Sequence, residues 1–265
     1  MAAVVLLSAV FTGCKKDNGD DFGDSKTYTL KTKDVLGITG TATFTQTSAT
    51  DTRIDLVVTG APSGTHPAHI HFSSAAETGA IAITLTDVDA QGKSTTVVRQ
   101  RDDGTTITYA QLLDFDGYIN VHESAANLGL IYAQGDIGGN ELTGDNKSYT
   151  LDTVGTSPVS GTVKFEKRKN GNSLVSIDVD NTLPSGDHPT HIHLGSIATI
   201  GGGPIKITLN NVNGASGKSI TTVRKLDDGT AITYDNLLVF DGYLNIHESF
   251  ANLGNVICHG NIGSN

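Results

Sequence analysis

At 265 residues the chain is long enough for two domains of ordinary size, each burying its own core without metal or disulfide support. A formal net charge of -10 excludes a nucleic-acid partner and disfavours an anionic membrane surface, since nothing in the chain neutralises a phosphate backbone. The composition is rich in Gly and lacks Trp, and it shows little helical periodicity, which points to short strands joined by turns.

The chain opens with a small apolar run, residues 2–11, followed by Thr12-Gly13-Cys14. The run has the layout of a signal-peptide core ending in small residues and is too short to span a bilayer. Residues 1–14 resemble a bacterial lipoprotein signal, which implies lipidation of Cys14 and a membrane partner reached through its acyl chains. Localisation in the cell envelope, at the outer membrane, follows from that resemblance. An ordinary secretory signal with an incidental Cys14 is the plainer alternative. Lipidation leaves Cys258 as the one remaining thiol, so no intramolecular disulfide forms. Residues 15–27, polar, acidic and Gly-interrupted, read as a flexible tether.

From Tyr28 onward the sequence repeats itself. Tyr28-Thr29-Leu30 returns as Tyr149-Thr150-Leu151, and Gly40-Thr41-Ala42-Thr43-Phe44 returns as Gly161-Thr162-Val163-Lys164-Phe165. The near-alternating runs 53–58 and 173–179 predict half-buried strands. Ile81, Ile83 and Leu85, with Ile205, Ile207 and Leu209, predict another pair. Asp102-Asp103-Gly104 and Asp227-Asp228-Gly229 are turn signals, and Thr108 and Thr233 are placed to cap single helical turns. The expected units are a first domain over 28–139, a linker over 140–148 and a second domain over 149–265. The second copy carries three extra residues, most simply around Gly201-Gly202-Gly203.

Histidines concentrate in the repeated segments. His66-Pro67-Ala68-His69-Ile70-His71 returns as His188-Pro189-Thr190-His191-Ile192-His193. Further on, Tyr118-Ile119-Asn120-Val121-His122 returns as Tyr243-Leu244-Asn245-Ile246-His247. In a strand, residues two apart share a face, so His69 and His71 stand together while Ala68 and Ile70 turn to the core. The same alternation puts Tyr118, Asn120 and His122 on one face. If these faces converge, three neutral imidazoles meet one cation, copper or zinc, in each domain. The candidate ligands are His69, His71 and His122, with His191, His193 and His247. Tyr118 and Asn120, with Tyr243 and Asn245, are candidates to orient the rings. His66 and His188 are each either a fourth ligand or a hydrogen-bonding strut. Histidines satisfied by backbone groups alone are the bland alternative. Cys258 and His259 fall opposite Ala133 and Gln134 and stand outside the shared set; Cys258 reads as a small core residue.

The Gly-Tyr-x-Asn-(Val/Ile)-His pattern with its Gly-x-Ile-Gly close, after an upstream His-x-His strand, resembles the CHRD domain, named for chordin. The His-x-His segment and Val121-His122-Glu123 are also similar to copper-ligating segments of copper/zinc superoxide dismutase. That resemblance implies an all-β fold of two tandem Greek-key β-sandwich or barrel domains, copper on the same histidines, and His66 and His188 as supports. The pattern departs from that family in lacking further histidines between His71 and His122, any arginine between His122 and Gly135, and a partner for Cys258.

Three functions fit: a tethered metal-binding module, a copper-dependent redox enzyme of dismutase type, or a metal-free adhesion module made bivalent by duplication. The first is preferred, without an enzymatic activity. No hydrolase signature is present, and the sequence names no protein partner.

Overall fold

The computed structural model describes residues 22–265. Cys14, the expected signal segment and residues 15–21 of the expected tether lie outside that range. The first repeat contains β1 (Ser25–Thr32), β2 (Thr39–Gln46), β3 (Thr52–Thr59), β4 (Ala68–Phe72), β5 (Ile81–Thr84), β6 (Lys93–Val98), the helical turn α1 (Tyr109–Leu113), β7 (Asp116–Ser124) and β8 (Asn127–Gly138). The second contains β9 (Leu142–Thr153), β10 (Ser160–Arg168), β11 (Ser173–Asp180), β12 (Asp187–Leu194), β13 (Ile205–Asn213), β14 (Lys218–Val223), α2 (Tyr234–Leu237), β15 (Asp241–Ser249) and β16 (Asn252–Gly263). Among the described residues no helix is long and apolar enough to cross a membrane.

Both repeats are all-β and share one strand order. The first is an eight-stranded sheet, β5-β4-β7-β8-β1-β2-β3-β6, and the second a closed barrel, β10-β11-β14-β13-β12-β15-β16-β9. In each, the connections from third to fourth and from sixth to seventh strand pass over two strands, which makes the Greek-key crossings. The barrel closes where Asn213 pairs with Lys218. In the first repeat β5 stops at Thr84, and that seam is held by single bonds instead, Thr86 N–H to Thr96 Oγ1 at 2.8 Å and Asp89 N–H to Lys93 O at 2.9 Å.

Alternation builds each core. Ile54 and Leu56 on β3 turn inward with Phe44, Ile70, Ile119 and Leu112, while Val175 and Ile177 on β11 turn inward with Phe165, Ile192, Leu244 and Leu237. α1 and α2 pack Leu112 and Leu237 into these cores and start at Thr108 and Thr233, each with a reciprocal capping box.

Three sequence expectations change. Residues 142–148 are not a linker but the first half of β9, paired with β10 from Leu142 opposite Arg168 to Ser148 opposite Lys164. Their polar sequence hides this because the segment is solvent-facing, so no apolar alternation marks it. β1 likewise starts at Ser25, inside the expected tether. Of the extra residues in the second repeat, two lie in the loop between β12 and β13, around Gly201-Gly202-Gly203, and one in the turn between β13 and β14. Residues 93–98 and 218–223 are strands whose Ser/Thr-rich sequence gives no strong apolar signal.

Candidate metal centre

β4 and β7 are neighbours, with His69 opposite Asn120 and His71 opposite Tyr118. That register, fixed by burying Ala68, Ile70, Ile119 and Val121 on the core side, leaves His69, His71 and His122 on the opposite face. The rings of His69 and His122 lie 5.1 Å apart between centroids, His69 and His71 5.8 Å, and His71 and His122 6.1 Å. β12 and β15 repeat this arrangement: His191 to His247 is 5.2 Å, His191 to His193 6.0 Å and His193 to His247 6.2 Å. Within each group one nitrogen per ring lies within 4.8 Å of the others. Three bonds of roughly 2.0–2.1 Å to a shared ion hold such nitrogens about 3–4 Å apart, so small ring movements suffice.

The hydrogen bonds decide which nitrogen is available. His71 Nδ1–H donates to Gly79 O at 2.9 Å, and His122 Nδ1–H donates to Leu128 O at 2.6 Å. Each bond fixes the tautomer that leaves a lone pair on Nε2. Those Nε2 atoms, and Nδ1 of His69, are buried without a hydrogen-bond partner. In the second repeat His193 donates to Gly203 O at 2.8 Å and His247 to Leu253 O at 2.7 Å. The same three atoms, Nδ1 of His191 and Nε2 of His193 and His247, are left without partners. A buried polar atom without a partner is costly, and six of them in two matching triads fit an ion at each centre. Imidazole donors with no thiolate or carboxylate among them suit copper, zinc, iron or nickel.

The rings sit on the outer face of the sheet, as alternation predicts, yet they are covered rather than exposed; His69 and His71 are each 8% accessible. Burial pushes the pKa of His69, His71, His122, His191 and His247 below the usual imidazole value. For His69 and His191 the neighbouring rings of the triad add to the effect. Both influences favour the neutral ring that a metal requires.

Tyr118 holds His71 in two ways. Its ring stacks on the imidazole at 4.9 Å and 16°, and its hydroxyl accepts the Gly79 N–H at 3.0 Å, so it also anchors the loop whose carbonyl holds Nδ1. Tyr243 does the same for His193, stacking at 5.0 Å and accepting Gly203 N–H at 2.8 Å. A Cβ at Gly79 would overlap the Phe72 carbonyl oxygen, which explains the glycine there. Asn120 departs from expectation. Its Oδ1 accepts from Gln134 Nε2 at 2.8 Å, and among the described residues no hydrogen bond joins Asn120 or Asn245 to a histidine ring.

His66 lies outside the triad. Its Nδ1 is 2.7 Å from Glu123 O and its Nε2 2.9 Å from Pro62 O, so both nitrogens are engaged by backbone carbonyls and the ring ties the strand entry to the end of β7. His188 Nδ1 lies 2.9 Å from Glu248 O in the same strut position. Neither belongs to the groups of converging nitrogens. Cys258 is fully buried, with its thiol pushed up to about 12 by burial. The carbonyls of Gly79, Leu128, Gly203 and Leu253 carry no side-chain signature; only the two glycines mark a tight approach in the sequence.

No curated protein matches the chain. Residues 27–134, which contain the whole of the first histidine triad, match the CHRD domain.

Proposed function

We propose that the chain is a two-site metal-binding module in which His69, His71 and His122 hold one copper or zinc ion and His191, His193 and His247 hold a second. The observation that carries this reading is the pair of matching triads of unpartnered, buried ring nitrogens. A bound ion would supply Lewis acidity or, as copper, a one-electron couple; the residues themselves supply neutral donors, fixed tautomers and cover from solvent. The sequence repeat extends the CHRD resemblance to a second, tandem domain, which with the whole of β9 runs over residues 142–265. The apolar run before Cys14 supports a lipid-anchored protein of the cell envelope, with the acidic stretch after it as spacer.

Metal analysis of the untagged protein after loading with copper or zinc tests the reading. Two ions per chain are expected for the wild type, one for His69→Ala, and none for His69→Ala with His191→Ala in a chain that remains folded. Absence of metal from the loaded wild type, or full binding by the double variant, refutes it. A superoxide consumption assay on the copper-loaded protein then separates binding from dismutation; the chain has no arginine between His122 and Gly135 to steer an anion, and binding without dismutation is expected.

A further inference from the structure

The loop that supports His71 faces two ways. Inward, Gly79 accepts from His71 and donates to Tyr118. Outward, it is tied to the second domain: Ser74, fully buried, shares a 2.8 Å hydrogen bond with Thr222, and Glu77 pairs with Arg224 at 3.0 Å. Ala75 N–H donates to Asp136 Oδ1 at 2.9 Å, and Asp136 Oδ2 receives Arg168 Nη1 at 2.8 Å. Arg168 has no exposed surface, and its Nη2 reaches Thr222 at 3.3 Å. A buried guanidinium paired in this way fixes geometry, because losing either partner strands a charge. The loop it holds contains Ser73 (φ 68) and Thr78 (φ 63), non-glycine residues in the left-handed region that persist only where the surroundings impose them.

The corresponding loop of the second repeat, residues 195–203, keeps the inner ties through Gly203. Its outer side differs. Ile197 N–H meets Asn261, which stands where the first repeat has Asp136, and Ile200 is fully exposed. Gly195, Gly201 and Gly202 supply its left-handed positions without strain. Among the described residues no hydrogen bond or ion pair ties this loop to the first domain.

We infer that the second domain sets the histidine geometry of the first, with Arg168 and Thr222 as positioning residues for the His69, His71 and His122 centre. The inference rests on the metal-binding reading above. It makes the two centres unequal: the first is clamped from outside its own domain and the second is not, so the first releases its ion more slowly.

Release of Zn2+ to a chromophoric chelator tests this in full-length chains with one centre disabled, His193→Ala reporting the first centre and His71→Ala the second. Slower release from the first is expected. Arg168→Met should speed that release about tenfold or more and leave the second centre unchanged, the scale typical of lost outer-shell support. The d–d spectrum of Co2+ at the first centre should shift with it. Should Arg168→Met fail to fold, Ser74→Ala with Thr222→Val removes the hydroxyl pair while keeping Arg168 on Asp136, and the same selective acceleration is expected. Equal release from both centres, or acceleration of both by the interface variants, overturns the inference while leaving the metal reading intact. Binding of Zn2+ by neither single-centre chain overturns both.

Discussion

Tyr118→Phe isolates the anchoring hydroxyl from the aromatic stack. The substitution keeps the ring, and so the 4.9 Å stack on His71, but removes the acceptor of the Gly79 N–H at 3.0 Å. Leaving this half-buried donor unpaired costs up to about 1–3 kcal/mol. The loop can relieve that cost only by moving, and movement takes the Gly79 carbonyl away from His71 Nδ1. Loss of such a partner lowers metal affinity about 10–100-fold, or ~1.4–2.7 kcal/mol, which agrees with the hydrogen-bond cost. A tenfold weaker Zn2+ affinity at the first centre is therefore expected, measured by chelator competition in a chain carrying His193→Ala. Tyr243→Phe, measured with His71→Ala, should weaken the second centre more, because its loop lacks ties to the other domain. Unchanged affinity alongside a lowered melting temperature would show that Tyr118 serves the fold and not the ring.

The pH dependence follows from the five histidines with lowered pKa. They bind protons more readily unfolded than folded, so they cost nothing above the ordinary imidazole value of 6.5 and destabilise the fold as pH falls through and below it. The metal-free chain should melt at a constant temperature above about pH 7 and progressively lower below it; replacing the two triads by Gln should flatten this slope, and a slope that survives points to other groups. Zn2+ held at a hundredfold over its dissociation constant should add about 2.7 kcal/mol of stability per centre, read from thermal melts with and without chelator. Cys258 should stay unmodified by a thiol reagent in the native protein and react on unfolding, since it is wholly buried and its thiol ionises only near 12. Phe44→Ala, which empties a fully buried site in the first core, should cost about 3–5 kcal/mol in denaturant titration.

The centre was legible in the sequence because strand geometry is simple. His69 and His71, two apart, must share a face, and the apolar residues between them must take the other. Convergence with His122 was not fixed by spacing, since it depends on β4, paired with β5 along one edge, taking β7 along the other. The outer support was not legible at all. Gly79 and Leu128 act through backbone carbonyls, and any residue type offers one. Arg168 reads as one more charge at a strand end until β9 and β10 bring it against Asp136. Residues 142–148 were hidden for the opposite reason: a strand exposed along its length keeps its backbone pairing but shows no apolar period.

Duplication copied the histidine centre faithfully but not the surface between the domains, and the differences have a physical logic. The first repeat has Thr47 where the second has Arg168, and exposed Val97 where the second has Thr222; the second has Asn261 where the first has Asp136. Had both copies kept the arginine and the carboxylate, each chain would retain one unused face of each kind. Such head-to-tail surfaces pair between molecules and extend without closing. With Thr47 at one free end and Asn261 at the other, a contact between chains would bring two uncharged groups together and gain no ion pair. The Arg168–Asp136 pair is thus available only within one chain, where it ties the two domains together and leaves the second centre's loop held by its own domain alone.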